Sequence, residues 1–218
     1  MSAEEPTNSK HQGWAAVHRL RSEVRQRYPS VWALGVVGRA EDRVLDGLEG
    51  VVRVLDIGAG NRGLAERLTG QCPGLVYKSL DTDESYEHDY RDLSQVEEEF
   101  DCVVMFEILE HLPHAEGIDM LRAACAVVRA GGKLLASTPN VYHPFQYFRD
   151  ASHVTPYSYE ELGAAILAAG LELETMYRVH PATAAAKVAK RWLAGWLFRF
   201  LGIDYAPGLL AVARKAES

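Results

Sequence analysis

Val51 to Ile57 is a β-branched run that leads directly into Gly58-Ala59-Gly60 and then into the apolar segment Leu64 to Leu68. A strand that is apolar on both faces has to be covered on both, which is the position of a central strand in a parallel sheet layered between helices. The turn that follows must bend tightly and leave the backbone open to a ligand. A side chain at Gly58 or Gly60 would obstruct one or both. Asp56, at the carboxyl end of the strand, can accept hydrogen bonds from donors on that ligand.

The rest of the chain repeats the strand and helix alternation. Leu75 to Leu80, Phe100 to Phe106, Lys133 to Ser137, Leu171 to Val179 and Gly208 to Ala213 read as strands. Leu121 to Arg129 reads as a helix stopped by Ala130-Gly131-Gly132, and Tyr159 to Ala169 as one ended by Gly170. The pattern predicts an α/β fold with a mostly parallel sheet and helices on both faces. Ahead of this main domain, placed over 51–218, residues 1–12 are polar and without periodicity, as in a disordered leader. Residues 13–50 are assigned to N-terminal helices: Trp14, Val17, Leu20 and Val24 recur at helical spacing up to Pro29, and Val31 to Leu48 forms a second segment. Such helices either close over a cofactor pocket or pack on the sheet edge.

A net charge of −7 argues against a large sequence-independent grip on nucleic acid, which needs a basic face. Three scattered cysteines, Cys72, Cys102 and Cys125, and a polar amino terminus without an apolar signal core predict a reduced, cytoplasmic protein. Residues 182–202 form a helical insertion with Trp192, Leu193, Trp196, Leu197, Phe200 and Leu201 on a broad apolar stripe, and Lys187, Lys190, Arg191 and Arg199 between them. Four charges forbid a spanning helix. Core or homodimer packing, a lid over an acceptor pocket and an interfacial membrane helix remain as readings.

Asp56-x-Gly58-x-Gly60, with a strand before it and a helix after it, resembles the first motif of class I S-adenosylmethionine (SAM) methyltransferases. Counted from Gly58, Gly63 also completes the glycine spacing of a dinucleotide turn. The acid two places before the first glycine favours the methyltransferase resemblance, and an NAD-type nucleotide-binding protein is the rival. The resemblance implies a Rossmann-like sheet of seven strands with the last antiparallel. An acid at the end of the second strand, about 20 residues beyond the turn, is where such folds hold ribose hydroxyls. Asp81 takes that position in Asp81-Thr82-Asp83-Glu84, with Asp83 as the fallback. The resemblance further implies that Asp92 and Leu93, after the third strand, meet the adenine amine and ring, with Phe106 closing the next strand beside the cofactor.

After that strand comes Glu107-x-x-Glu110-His111. On one helical turn these three side chains share a face, and His143 and His153 return to the same sheet edge in the loop after the fifth strand. Two carboxylates with one or two histidines suit Mg²⁺ or Mn²⁺. The set also resembles the metal site of the small-RNA 2′-O-methyltransferases of the Hen1 type, which implies Glu107, Glu110, His111 and His153 as ligands, although the residues flanking His153 depart from that family. In methyltransferases that bind no metal, the same motif caps a helix or touches the cofactor.

A hydroxyl acceptor needs a base or a metal to gain alkoxide character. His143 is the expected base, with His153 as the alternative, in which case His143 binds the acceptor. Ser137-Thr138-Pro139-Asn140-Val141 and Pro156-Tyr157-Ser158-Tyr159-Glu160-Glu161-Leu162 resemble bacterial methyltransferases of polysaccharide and secondary-metabolite pathways. This implies a small hydroxylated acceptor such as a sugar or glycan precursor, on which Tyr142, Phe145, Tyr147 and Phe148 could stack. An RNA terminus is the second acceptor class.

Overall fold

In this computed structural model the described residues are 8–181 and 195–217. Seven strands form one sheet: β1 (Gly35–Val37), β2 (Val52–Ile57), β3 (Leu75–Leu80), β4 (Phe100–Phe106), β5 (Val128–Pro139), β6 (Glu172–Val179) and β7 (Gly208–Arg214). Their spatial order is β1-β6-β7-β5-β4-β2-β3, and every pairing is parallel except those of β7 with β5 and β6. Helices α1 (Asn8–Arg27), α2 (Gly63–Thr69), α3 (His114–Val127) and α4 (Tyr159–Ala168) complete the layers. Two clusters of buried side chains lie against the sheet: one contains Leu55, Ile57, Val103 and Met105, and the other the alternate residues Val52, Val54, Cys102 and Val104. The continuous apolar runs are therefore explained by a core on each face.

The strand count agrees with expectation, but one strand comes from elsewhere. The third strand expected before Asp92 is reduced to a single parallel bridge between Leu80 and Tyr90. The seventh place is taken by β1, inside the segment assigned to N-terminal helices. Gly35 and Gly38 bracket the β-branched pair Val36-Val37, a combination that disfavours helix and suits a short extended pairing on β6. Only 3₁₀ turns, Val31–Ala33 and Ala40–Arg43, flank it. The helix expected from Gly13 begins at Asn8 and rests on α4, where a side chain at Gly163 would come within 2.8 Å of Val24. Arg21 pairs with Glu161 at 3.0 Å across the same contact. The insertion expected at 182–202 lies mostly outside the described residues; 195–201 are helical.

From β2 the chain moves outward to β3 and then crosses back to β4 on the other side of β2. The carboxyl ends of β2 and β4 therefore flank the point where the strand order reverses, and a crevice opens there in sheets of this type.

Candidate active site

The turn after β2 is built as its glycines require. Gly58 and Gly60 have φ of +72° and +47°, in the left-handed region that side chains disfavour. Their surroundings differ. A Cβ at Gly58 would lie 2.1 Å from Cδ1 of Ile108, so the loop after β4 already fills that space. A Cβ at Gly60 would meet nothing within 4 Å, which leaves this part of the turn open to a ligand. The Gly60 N–H donates to Asp81 Oδ2 at 2.8 Å, and the other Asp81 oxygen accepts the Asp83 N–H at 2.9 Å. Asp81 thus ties the turn to the end of β3, on the rim of the crevice, while Thr82 is exposed beside it.

Asp56 is only 5% exposed, and one of its oxygens accepts the hydroxyl of Tyr77 on β3. Burial pushes its carboxyl up from 3.8 to about 6, against the opposing effect of the Tyr77 hydrogen bond. The folded protein therefore holds this proton more tightly than the unfolded chain, and the group's contribution to stability falls as pH rises from 3.8 to about 6. Asp56→Asn should flatten that part of the profile, measured as the difference between variant and wild type in urea unfolding across the window.

Asp92 is exposed and caps the 3₁₀ turn Leu93–Gln95, accepting the Ser94 N–H at 2.8 Å, which lowers its carboxyl pKa. Leu93 packs half-buried against the core, and Phe106 lines a cleft of about 250 Å³ with Glu107, Ser137, Val179 and Gly208 at the strand ends.

The expected convergence of Glu107, Glu110 and His111 is only partly realised. Glu107 has φ +55°, so it ends β4 outside the following 3₁₀ turn, Leu109–His111. It accepts the Ser137 hydroxyl at 2.8 Å. Its surface opens into the cleft while protein crowds it on the remaining sides, and this loss of solvent raises its carboxyl pKa. Glu110 turns inward to 1% exposure, and neither carboxylate oxygen has a hydrogen-bond partner. Burial, reinforced by Glu107, pushes it up to about 8.

His153 supplies the third member. The Glu110 carbonyl accepts N–H bonds from Val154 at 2.8 Å and Thr155 at 3.0 Å, and Thr155 Oγ1 donates to the Leu112 carbonyl at 2.6 Å. These bonds staple residues 153–155 to the loop after β4. Ligating atoms of Glu110, His111 and His153 consequently lie within 4.8 Å of one another.

Hydrogen bonding assigns the ring protons. His153 Nδ1 is 2.7 Å from the Tyr147 carbonyl, which can only accept, so the proton is on Nδ1 and the lone pair on Nε2. Ser152 Oγ gives its proton to Asp150 at 2.6 Å and so accepts one from His111 Nδ1 at 3.0 Å, which leaves His111 Nε2 as the lone pair. His143 is the reverse. Its Nδ1 accepts backbone N–H groups of Phe145 at 3.3 Å and Gln146 at 3.1 Å, so the neutral ring carries its proton on Nε2 and offers a donor. That geometry conflicts with His143 as the proton acceptor. Tyr142 is also committed, donating to Glu160 at 3.0 Å, so it holds the loop down.

Tyr77, Ser137, Asp150 and Ser152 are the supporting residues that sequence reasoning missed. Tyr77 alone had a legible signal, since it lies on the strand next to Asp56 and two residues from its register partner Ser79.

A family model described as a methyltransferase domain matches residues 16–176. No curated protein matches the chain. Among solved structures, a SAM-dependent methyltransferase from Archaeoglobus fulgidus is similar with TM-score 0.60 and 16% identity, over 91% of this chain and 94% of that one. The N-methyltransferase NodS from Bradyrhizobium japonicum WM9, in complex with S-adenosyl-L-homocysteine, gives 0.55 and 18% over 81% and 84%. The cyclopropane synthase MmaA2 from Mycobacterium tuberculosis gives 0.56 and 16% over 81% of each chain. At these identities the likeness establishes the fold, and the named reactions span several acceptors.

Proposed function

This chain belongs to the class I SAM-dependent methyltransferases, and from that premise we propose that it methylates a hydroxyl of a small acceptor such as a sugar or glycan precursor in the cytoplasm. The observation that carries the O-methyl reading is the open Nε2 lone pair of His153, held by the Tyr147 carbonyl. SAM supplies an electrophilic methyl on its sulfonium. Gly60 and Asp81 would hold the nucleoside in the crevice beside them, and Asp92, Leu93 and Phe106 would meet the adenine. The acceptor oxygen forms a bond to the methyl carbon as the carbon–sulfur bond breaks, its proton passes to His153 Nε2, and S-adenosylhomocysteine leaves. The His143 Nε2–H serves as a donor that orients the acceptor. Tyr147, with its ring 5.2 Å from that of His153, offers a face on which a sugar can stack.

A second reading, a divalent cation at the same place, is favoured by the unpartnered Glu110 oxygens in a group whose His111 and His153 ligand atoms lie within 4.8 Å. A buried carboxylate without partners is costly unless something neutralises it. Glu110, His111 and His153 would hold the ion, which would acidify the acceptor hydroxyl. Two nitrogens and one carboxylate suit Mn²⁺ better than Mg²⁺, and Glu107 stays with Ser137. Here His153 would be a ligand and not the base.

The test is methyl transfer from SAM to a panel of sugars, polyphenols and short RNAs, with EDTA, Mg²⁺ or Mn²⁺. Products methylated on sugar oxygen support the proposal; methylation confined to RNA ends, or to nitrogen, overturns it. Full activity in EDTA is expected if His153 is the base, whereas loss of activity restored by Mn²⁺ would establish the metal reading.

A further inference from the structure

Asn140, directly after β5, is fully buried, and each of its polar groups is used. Its side-chain amide donates to the Asp204 carboxylate and to the Ala206 carbonyl, both at 2.9 Å, and its amide oxygen accepts the Tyr142 N–H at 3.0 Å. Its backbone N–H donates to the Pro207 carbonyl at 2.8 Å, and its carbonyl accepts the His143 N–H at 2.9 Å. Asp204 answers from the segment that leads into β7. Only 6% exposed, it accepts Arg178 at 3.2 Å and the Ala206 N–H at 3.3 Å on its other oxygen, and its own N–H donates to the Tyr142 carbonyl at 3.0 Å. The ring of the next residue, Tyr205, lies 5.7 Å from that of His143, with the planes 79° apart.

We propose that Asp204 is the positioning residue for His143, acting through Asn140 and Tyr142 to hold the turn that carries the imidazole. The inference rests on the reading of His143 as the hydrogen-bond donor to the acceptor. A loop at a sheet edge ordinarily moves, and a donor aids recognition only if it is held in place. The Phe145 and Gln146 N–H groups orient the ring, but they belong to its own turn and fix it only relative to that turn. Asn140 and Asp204 supply a tie to the sheet, because Ala206 and Pro207 run straight into β7, whose first residue, Gly208, pairs with Pro139 on β5 and Val179 on β6. Glu160 grips the tip of the Tyr142 side chain, whereas Asn140 and Asp204 take both of its backbone groups. A buried network with its members satisfied is rigid. The pairing also demands a carboxylate. Asp204 meets the Asn140 amide on one oxygen and Arg178 on the other, so an amide at 204 would turn its own donor toward one of these two donors whichever way it lay.

The test combines NMR with kinetics on the full chain. In the wild type, the Tyr142 and His143 amide protons should exchange with solvent as slowly as those of β5, and ¹⁵N spectra of the His143 ring should show the proton on Nε2. Asp204→Asn should give a mixture of the two tautomers. It should also raise KM for the sugar methylated in the panel above by about 5- to 10-fold, as for loss of one hydrogen bond, with S-adenosylhomocysteine affinity unchanged. The exchange Asn140→Asp with Asp204→Asn again sets a donor opposite an acceptor and should restore the single tautomer, which a general loss of stability would not do. Fast amide exchange in the wild type, an unchanged tautomer in Asp204→Asn, or no recovery in the exchanged pair would overturn the proposal. Mixed tautomers with an unchanged KM would uphold the hold on His143 and strike instead its role as donor to the acceptor.

Discussion

His153→Ala is expected to lower turnover by about 10²–10⁴-fold, the usual contribution of a positioned general base, with little change in S-adenosylhomocysteine affinity. The next two residues are stapled to the Glu110 carbonyl, and the ring proton of His153 is committed to the Tyr147 carbonyl. Removing the ring would remove the proposed proton acceptor while leaving the Gly60 and Asp81 pairing intact. His143→Ala should act differently. Its ring donates from Nε2, so its loss should appear chiefly as a raised KM for the acceptor, with a smaller effect on kcat. A variant pair that behaves the other way round, with His143 controlling kcat, would reverse the two roles.

Asp81→Ala is expected to weaken S-adenosylhomocysteine binding by about 10- to 100-fold, corresponding to about 1.5–3 kcal/mol for hydrogen bonds to a charged group. Two causes act together. The carboxylate is the proposed partner of the ribose hydroxyls, and it holds the Gly60 N–H at 2.8 Å and that of Asp83 at 2.9 Å, so the variant should lose both that contact and the tie that shapes the turn. Asp81→Asn separates the two. Its amide oxygen can still accept one backbone N–H, so it should retain more of the turn than alanine does. Calorimetric titration of both variants measures this, and unchanged affinity in both would remove Asp81 from the cofactor site.

The fold was legible because its signals are local. A continuous apolar run, a glycine pair, an acid before it and alternating helical periodicity each depend on neighbours within a few residues, and together they admit few arrangements besides a parallel layered sheet. Tertiary partners decided where this failed. Val36-Val37 becomes a strand because the β6 edge is available to pair with it, and the segment before Asp92 is left with one bridge. The candidate site was legible as a list of residues but not as a geometry. Glu107-x-x-Glu110-His111 on an ideal helical turn would place all three side chains together, yet the left-handed conformation at Glu107 and its bond to Ser137 take it out of the group.

By itself, then, the chain order of strand, glycine turn, helix and acid determined the sheet, the crevice and the class of cofactor, since backbone sterics and the covering of apolar faces leave little choice. Only the tertiary structure decided which histidine offers a lone pair. That depends on whether a ring nitrogen meets a carbonyl or an N–H. For His153 the partner is a carbonyl six residues away in a folded loop, and for His143 it is the N–H groups of its own turn.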